Sequence, residues 1–207
     1  MRLDLETTLL LAAAILLYPF IYIYFPELRD GATFYLILSI GSTLVIFLLT
    51  RQYPVDLDNR RLLETASIVF LNMMLNAIVF AALAESLGVF SIIPSLILLY
   101  TTGIPLVYSL YVGLGETFLY VGLPLALSEK LPGPLKYLPA IAINALFALY
   151  FALLHAKAYN YHWIVLLQPF IAGLINAVIA IKNRNLAGVV LGHWLTDFVI
   201  FSSGVLV

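Results

Sequence analysis

Apolar and polar positions alternate along this chain on one long scale. Runs close to the about 20 apolar residues that a membrane-crossing helix needs are parted by short hydrophilic pieces at 26–31, 51–61, 129–136 and 182–185. The runs predict helices over Thr7–Phe25, Thr33–Thr50, Leu62–Ala84, Leu138–Ala156, Trp163–Ile181 and Leu186–Val207. A further apolar stretch, Val89–Ser128, is 40 residues long and is interrupted by Pro94, Gly103, Pro105, Gly113 and Gly115. None of the runs shows the two-residue alternation of barrel strands. In lipid every backbone polar group must be satisfied within the structure, so helices are expected here. The first run, behind Arg2, has the outline of a signal peptide, but its length and the lack of a small-residue cleavage site predict a retained span.

The basic residues address how often Val89–Ser128 crosses. If it crosses once, from about Gly103 to Ser128, then Arg2, Arg51, Arg60, Arg61, Lys130, Lys136, Lys182 and Arg184 share one side. Only Arg29 and Lys157 fall on the other, a split of eight against two. Two crossings give five against five. Because cytoplasmic loops carry the excess of Lys and Arg, the expectation is about seven spans, with eight the alternative. Val89–Thr102 then dips into the membrane or lies at its surface. The N-terminus is cytoplasmic and the C-terminus lies outside. Tyr18, Tyr22, Tyr24 and Phe25, and again Tyr159, Tyr161, His162 and Trp163, sit at span ends, where amphipathic rings settle at headgroup level.

Composition closes off other classes. Hydrophobic residues make up 63% of the 207 and charged residues 10%, with a mean hydropathy of +1.06. An ordinary soluble domain is about 45–50% apolar and about 25% charged, so a soluble fold and a disordered chain are both excluded. Ten Lys and Arg against eleven Asp and Glu, with no basic run beyond Arg60–Arg61, argue against a nucleic-acid partner. The absence of cysteine removes disulfides, thiolate zinc sites, cysteine nucleophiles and S-lipidation. The chain is expected to be an all-α, multi-pass transmembrane bundle, a single integral membrane domain over residues 1–207.

Function must then be read from the few polar residues inside spans. Glu116 and Asp197 fall within them, and Glu85 at a span edge. A carboxylate at mid-bilayer costs about 2.5–3.5 kcal/mol even on the lenient insertion scale, so such residues face the bundle interior. His155 and His193 also lie within spans, whereas His162 belongs to an aromatic belt. His193 and Asp197 are four apart and share a helical face. Gly188 and Gly192 precede them at the spacing that lets helices approach closely, and Gly113 and Gly115 precede Glu116 similarly. Asn72, Asn76, Asn144 and Asn176 read as interhelical hydrogen-bonding glue, a reading that also stands open for His155.

Two chemistries fit these residues. In one, Glu116 is a general base whose apolar setting raises its proton affinity toward a useful range, and the histidines hold the water and stabilise an oxyanion. In the other, His155, His193 and a carboxylate hold zinc with one position open. The H-E-x-x-H arrangement is absent, so the reading without a cofactor is favoured and zinc is the alternative.

The ordered motifs carry a resemblance. Glu116 opens the segment Glu116-Thr117-Phe118-Leu119-Tyr120-Val121-Gly122; 39 residues later Phe151-Ala152-Leu153-Leu154-His155 ends on a histidine; 38 residues further His193-Trp194-Leu195-Thr196-Asp197 begins with one. In order, spacing and membrane setting this resembles the CAAX-protease and bacteriocin-processing family of intramembrane proteases, with its E-E-x-x-x-R, F-x-x-x-H and H-x-x-x-N/D motifs. The likeness covers Gly103 to the C-terminus, about half of the chain. Thr117 stands where the second Glu is usual and Val121 where Arg is usual. Losing both partners avoids an unpaired buried charge. Losing the guanidinium removes a bidentate grip on a substrate carboxylate, which argues against a strictly C-terminal CAAX-type substrate.

The resemblance implies an intramembrane endopeptidase acting on a membrane-associated peptide or lipidated protein, with membrane lipid as its surroundings. Glu116 would activate water, His155 assist it, and His193 and Asp197 bind the carbonyl oxygen or position the water. Two other classes are expected to compete. One is an inactive family member that binds a membrane protein or lipid. The other is a small proton-coupled transporter using Glu, His and Asp as a relay, although no internal repeat of the transporter kind is visible.

Overall fold

The computed structural model describes residues 59–88, 105–122 and 162–203, with isolated positions at 16, 24, 37, 40, 41, 44, 142, 145, 146, 148, 149, 152 and 153. Among the described residues every regular element is helical. Helix α1 is Asn59–Ser86, α2 is Pro105–Thr117, α3 is Trp163–Asn183 and α4 is Leu186–Ser203, and α2 runs on into a π-helical turn, Phe118–Gly122.

Local chemistry sets the boundaries. Pro105 opens α2, where its missing N–H is not needed. Gly88, at φ +69°, closes α1, its N–H donating to the Glu85 carbonyl at 3.0 Å. The hydrophilic piece at 182–185 is shorter than its composition predicts, because Lys182 and Asn183 complete α3. Arg184 turns the chain in the left-handed region at φ 51° and donates its N–H to the Ala180 carbonyl at 2.8 Å. Asn185 then caps α4, its Oδ1 accepting the Gly188 N–H at 2.7 Å.

Two of these helices, Arg60–Ser86 and Leu166–Asn183, are long and apolar enough to cross a membrane, and Leu186–Ile200 is a shorter apolar helix. At 1.5 Å per residue the 28 residues of α1 reach about 42 Å, beyond the about 30 Å of a hydrocarbon core. Leu63, Leu71, Leu75 and Ile78 form an outward stripe on α1, Leu71 being 65% exposed. So large an apolar face is suited to lipid rather than water. Most of the spans expected at 7–25, 33–50 and 138–156, and all of the 89–102 segment, lie outside the described residues.

Contacts fix the helix directions. Gly188 of α4 lies against Leu62 and Thr65 of α1, and Gly192 against Ala66 and Val69, so the two helices run parallel. Asn183 of α3 donates to Thr65 Oγ1 at 3.0 Å and Asn72 donates to Asn176 Oδ1 at 3.0 Å, so α3 runs antiparallel to α1. An apolar core of Val69, Met73, Val121, Ala177, Ala180, Leu186 and Val189 fills the space among α1, α3, α4 and the π-helical turn. Helix α2 packs against the remaining side of α4.

Candidate active site

Helix α4 places the site. Gly192 presses against α1: a Cβ there would lie 2.5 Å from the Ala66 carbonyl oxygen and 2.7 Å from Val69 Cβ. The next residue, His193, is turned about 100° around the helix and meets α2. Asp197 follows one turn later on the same face. On α2, Gly113 is backed against the chain at Trp194, 3.1 Å from where its Cβ would be, and Trp194 Nε1–H donates to the Leu106 carbonyl at 3.2 Å. This close seating brings Glu116 and Thr117 to the imidazole.

Glu116 and His193 are each only 7% exposed. His193 Nε2 lies 3.6 Å from Glu116 Oε2 and 3.4 Å from Asp197 Oδ2. On the opposite edge of the ring, Nδ1 lies 3.0 Å from Thr117 Oγ1 in a hydrogen bond. Both carboxylate distances exceed the about 2.7–2.9 Å of a closed charge-assisted hydrogen bond. Asp197 Oδ2 is buried and has no hydrogen-bond partner among the described residues. Two acidic oxygens thus face one ring nitrogen without closing on it. Such a group can hold a water molecule, accept its proton and present an N–H to a developing oxyanion.

The sequence expectations divide in three. Glu116, His193 and Asp197 are brought together. His155 lies outside the described residues, so the structure pairs Glu116 with His193 and does not address its partnership with His155. The segment after Glu116, Thr117 to Val121, differs from expectation. Val121, 4% exposed, faces the apolar core among α1, α3 and α4. Position 121 is therefore part of the packing in this chain. From the sequence Thr117 is only a missing acid, yet in the structure it holds His193. Its position beside Glu116 in the first motif was the available signal.

The asparagines behave as glue. Asn72 bonds to Asn176 across the α1–α3 interface, and Asn76 Nδ2 donates to Asn72 Oδ1 and to the Asn72 carbonyl, both at 2.9 Å. Asn144 lies outside the described residues. His162 is the N-cap residue of α3 and makes no side-chain cap hydrogen bond. Among the described residues no three His, Asp or Glu side chains form a metal-holding group, and the third ligand of the zinc alternative, His155, is not among them.

No curated protein and no solved structure matches the chain. A family model described as type II CAAX prenyl endopeptidase Rce1-like matches residues 96–199. The matched half of the chain carries Glu116, His155, His193 and Asp197 together, along with α2, α3 and nearly all of α4. By that match the chain belongs to the Rce1-like family of type II CAAX prenyl endopeptidases, integral membrane proteases.

Proposed function

We propose that the chain is an intramembrane endopeptidase that hydrolyses a peptide bond of a membrane-associated, prenylated substrate, with Glu116, His155, His193 and Asp197 as its working groups. One observation supports the reading most: Glu116 and Asp197 converge on His193 Nε2 in a buried site, at 3.6 and 3.4 Å. Glu116 takes a proton from water, and the resulting hydroxide adds to the scissile carbonyl carbon. His193 Nε2–H donates to the oxyanion of the tetrahedral intermediate. When the C–N bond breaks, Glu116 returns its proton to the leaving amine, and the carboxylate is restored. Asp197 holds the imidazole in orientation, and the family resemblance gives His155 the task of steadying the water. Cleavage of a prenylated CAAX peptide by the purified protein in lipid tests this. Glu116→Gln should lower kcat by at least about 100-fold, the scale of losing a positioned acid–base group. Equal rates in both proteins would defeat the proposal. A wild type that binds the peptide and cleaves none of it would favour the non-catalytic binding role, for which the exchange of the usual Glu and Arg for Thr117 and Val121 speaks.

The helix directions support the seven-span arrangement with a cytoplasmic N-terminus. Parallel α1 and α4 begin at one end of the bundle, which gathers Arg60, Arg61, Lys182 and Arg184 there. In the eight-span alternative α1 and α4 would cross in opposite directions. The chain has no cysteine, so single replacements are readable with a membrane-impermeant maleimide. Arg61→Cys and Lys182→Cys should label from the cytoplasmic side only; labelling from opposite sides would overturn the arrangement.

A further inference from the structure

We infer that Thr117 is a positioning residue that fixes the tautomer of His193, holding the ring with its hydrogen on Nε2. The inference rests on the endopeptidase reading, which takes Glu116 as an ionised base, though its spectroscopic test does not depend on activity. A neutral imidazole has one donor nitrogen and one acceptor nitrogen. Nε2 faces Glu116 Oε2 at 3.6 Å, which as the base of the proposed mechanism is ionised and only accepts. The ring hydrogen therefore belongs on Nε2, and Nδ1 requires a donor. Thr117 Oγ1 stands 3.0 Å from Nδ1 and supplies one. Thr117 is 1% exposed, so bulk water does not compete for the nitrogen.

The exchange at position 117 gains a physical meaning from this. An ionised acid there, as in the E-E-x-x-x-R pattern, could only accept from Nδ1. It would draw the ring hydrogen to Nδ1 or favour the doubly protonated ring. A hydroxyl can donate, and leaves the ring neutral with Nε2–H aimed at the carboxylates and at any oxyanion beside them. The partner change at Val121 is consistent: with no acid at 117, no cation is needed four residues on, and the apolar core takes the position. The acid–base pair of the motif has been replaced by a neutral pair that assigns the histidine a fixed donor edge.

The test is ¹⁵N NMR of ring nitrogens in the full-length protein in lipid nanodiscs, with histidine labelled. The chain has three histidines, and His193→Gln identifies the signals of interest by their loss. In the wild type, His193 should be protonated at Nε2 and unprotonated at Nδ1. Thr117→Val keeps the shape and removes the donor, and should populate the Nδ1-protonated form; Thr117→Ser should restore the wild-type pattern. In cleavage, Thr117→Val should lower kcat about tenfold with KM unchanged, the scale of one buried hydrogen bond, and Thr117→Ser should recover it. A wild-type ring protonated at Nδ1 would overturn the inference, because the threonine would then be accepting. So would a ring pattern unchanged in Thr117→Val. The wild-type spectrum decides even if Thr117→Val fails to fold. An enzyme that cleaves nothing would sink the endopeptidase reading while leaving the spectroscopic result to stand or fall by itself.

Discussion

Helix α4 has two working sides built on opposite principles. Toward α1 it presents Gly188 and Gly192, and the approach is so close that a methyl group at either would meet a backbone carbonyl, that of Leu62 at 2.8 Å or of Ala66 at 2.5 Å. Toward α2 it presents His193 and Asp197, whose contacts with acid oxygens and ring nitrogen stop at 3.4–3.6 Å. One side has no room for an added atom. The other closes His193 Nδ1 on Thr117 Oγ1 at 3.0 Å but keeps the acid oxygens facing Nε2 at distances longer than a tight charge pair. Where hydrophobic burial does not drive helices together, as in lipid, close packing through small residues supplies the adhesion. The α1 side thereby supplies the rigidity, and the α2 side is free to keep loosely matched polar groups that a stability optimum would pair or remove.

The largest effect that could break this comparison is a separation of activity from stability. Glu116→Gln, already expected to cost at least about 100-fold in kcat, should leave the thermal unfolding midpoint close to that of the wild type, because it alters only the loose side. A large fall in Tm would show that the acid also holds the helices together.

Next in size are the glycines. Gly192→Ala sets a methyl against the Ala66 carbonyl and Val69 Cβ, and backbone cannot yield cheaply; overpacking of this kind costs about 1–3 kcal/mol. Gly113→Ala, on the α2 side, meets the Trp194 backbone at 3.1 Å, a contact that a shift of a few tenths of an ångström relieves. Unfolding in mixed detergent should therefore show Gly192→Ala losing distinctly more stability than Gly113→Ala. Equal losses would mean that both interfaces are equally close, and the contrast between them would disappear.

How much of this was legible in advance differs along the same line. The spacing of Gly188 and Gly192 announced a close approach, and α1, α3 and α4 fall where apolar runs predict them, because length and hydropathy are local properties. The partner of those glycines was not legible: nothing in Leu62–Ala84 marks Leu62, Thr65 and Ala66 as the surface they meet. His193 and Asp197 could be placed on one face from their spacing alone. Bringing Glu116 to them needed the motif order, since a sequence has no measure of which distant helix lies alongside. The π-helical turn at Phe118–Gly122 was invisible for another reason. Face assignments assume 3.6 residues per turn, and a wider turn, of the kind found often at functional sites, changes which side chains point inward. Tyr120, Val121 and Gly122 are all buried there. A motif comparison also records identity rather than contact, so it shows Thr117 as a loss while its hydroxyl reaches His193.

The smallest expected effect is the sharpest probe of the loose side. Trp194 follows His193, and its indole reaches along α2 to donate to the Leu106 carbonyl at 3.2 Å. Trp194→Phe keeps the backbone and Cβ that Gly113 packs against and removes only that bond. An interhelical hydrogen bond in a membrane protein averages about 0.6 kcal/mol, so Tm should fall only slightly. The informative quantity is kcat. If the α2 side is loosely coupled, losing one tether near the start of α2 changes the placement of Glu116, eleven residues from Pro105 in the same helix, by little, and kcat should stay within about threefold, the rate equivalent of that bond energy. A fall of a hundredfold with Tm nearly unchanged would show instead that Trp194 sets the position of Glu116 against His193. The α2 side would then have to be described as a rigidly registered interface whose spacing is held by the indole, and the difference between the two sides of α4 would be one of chemistry alone.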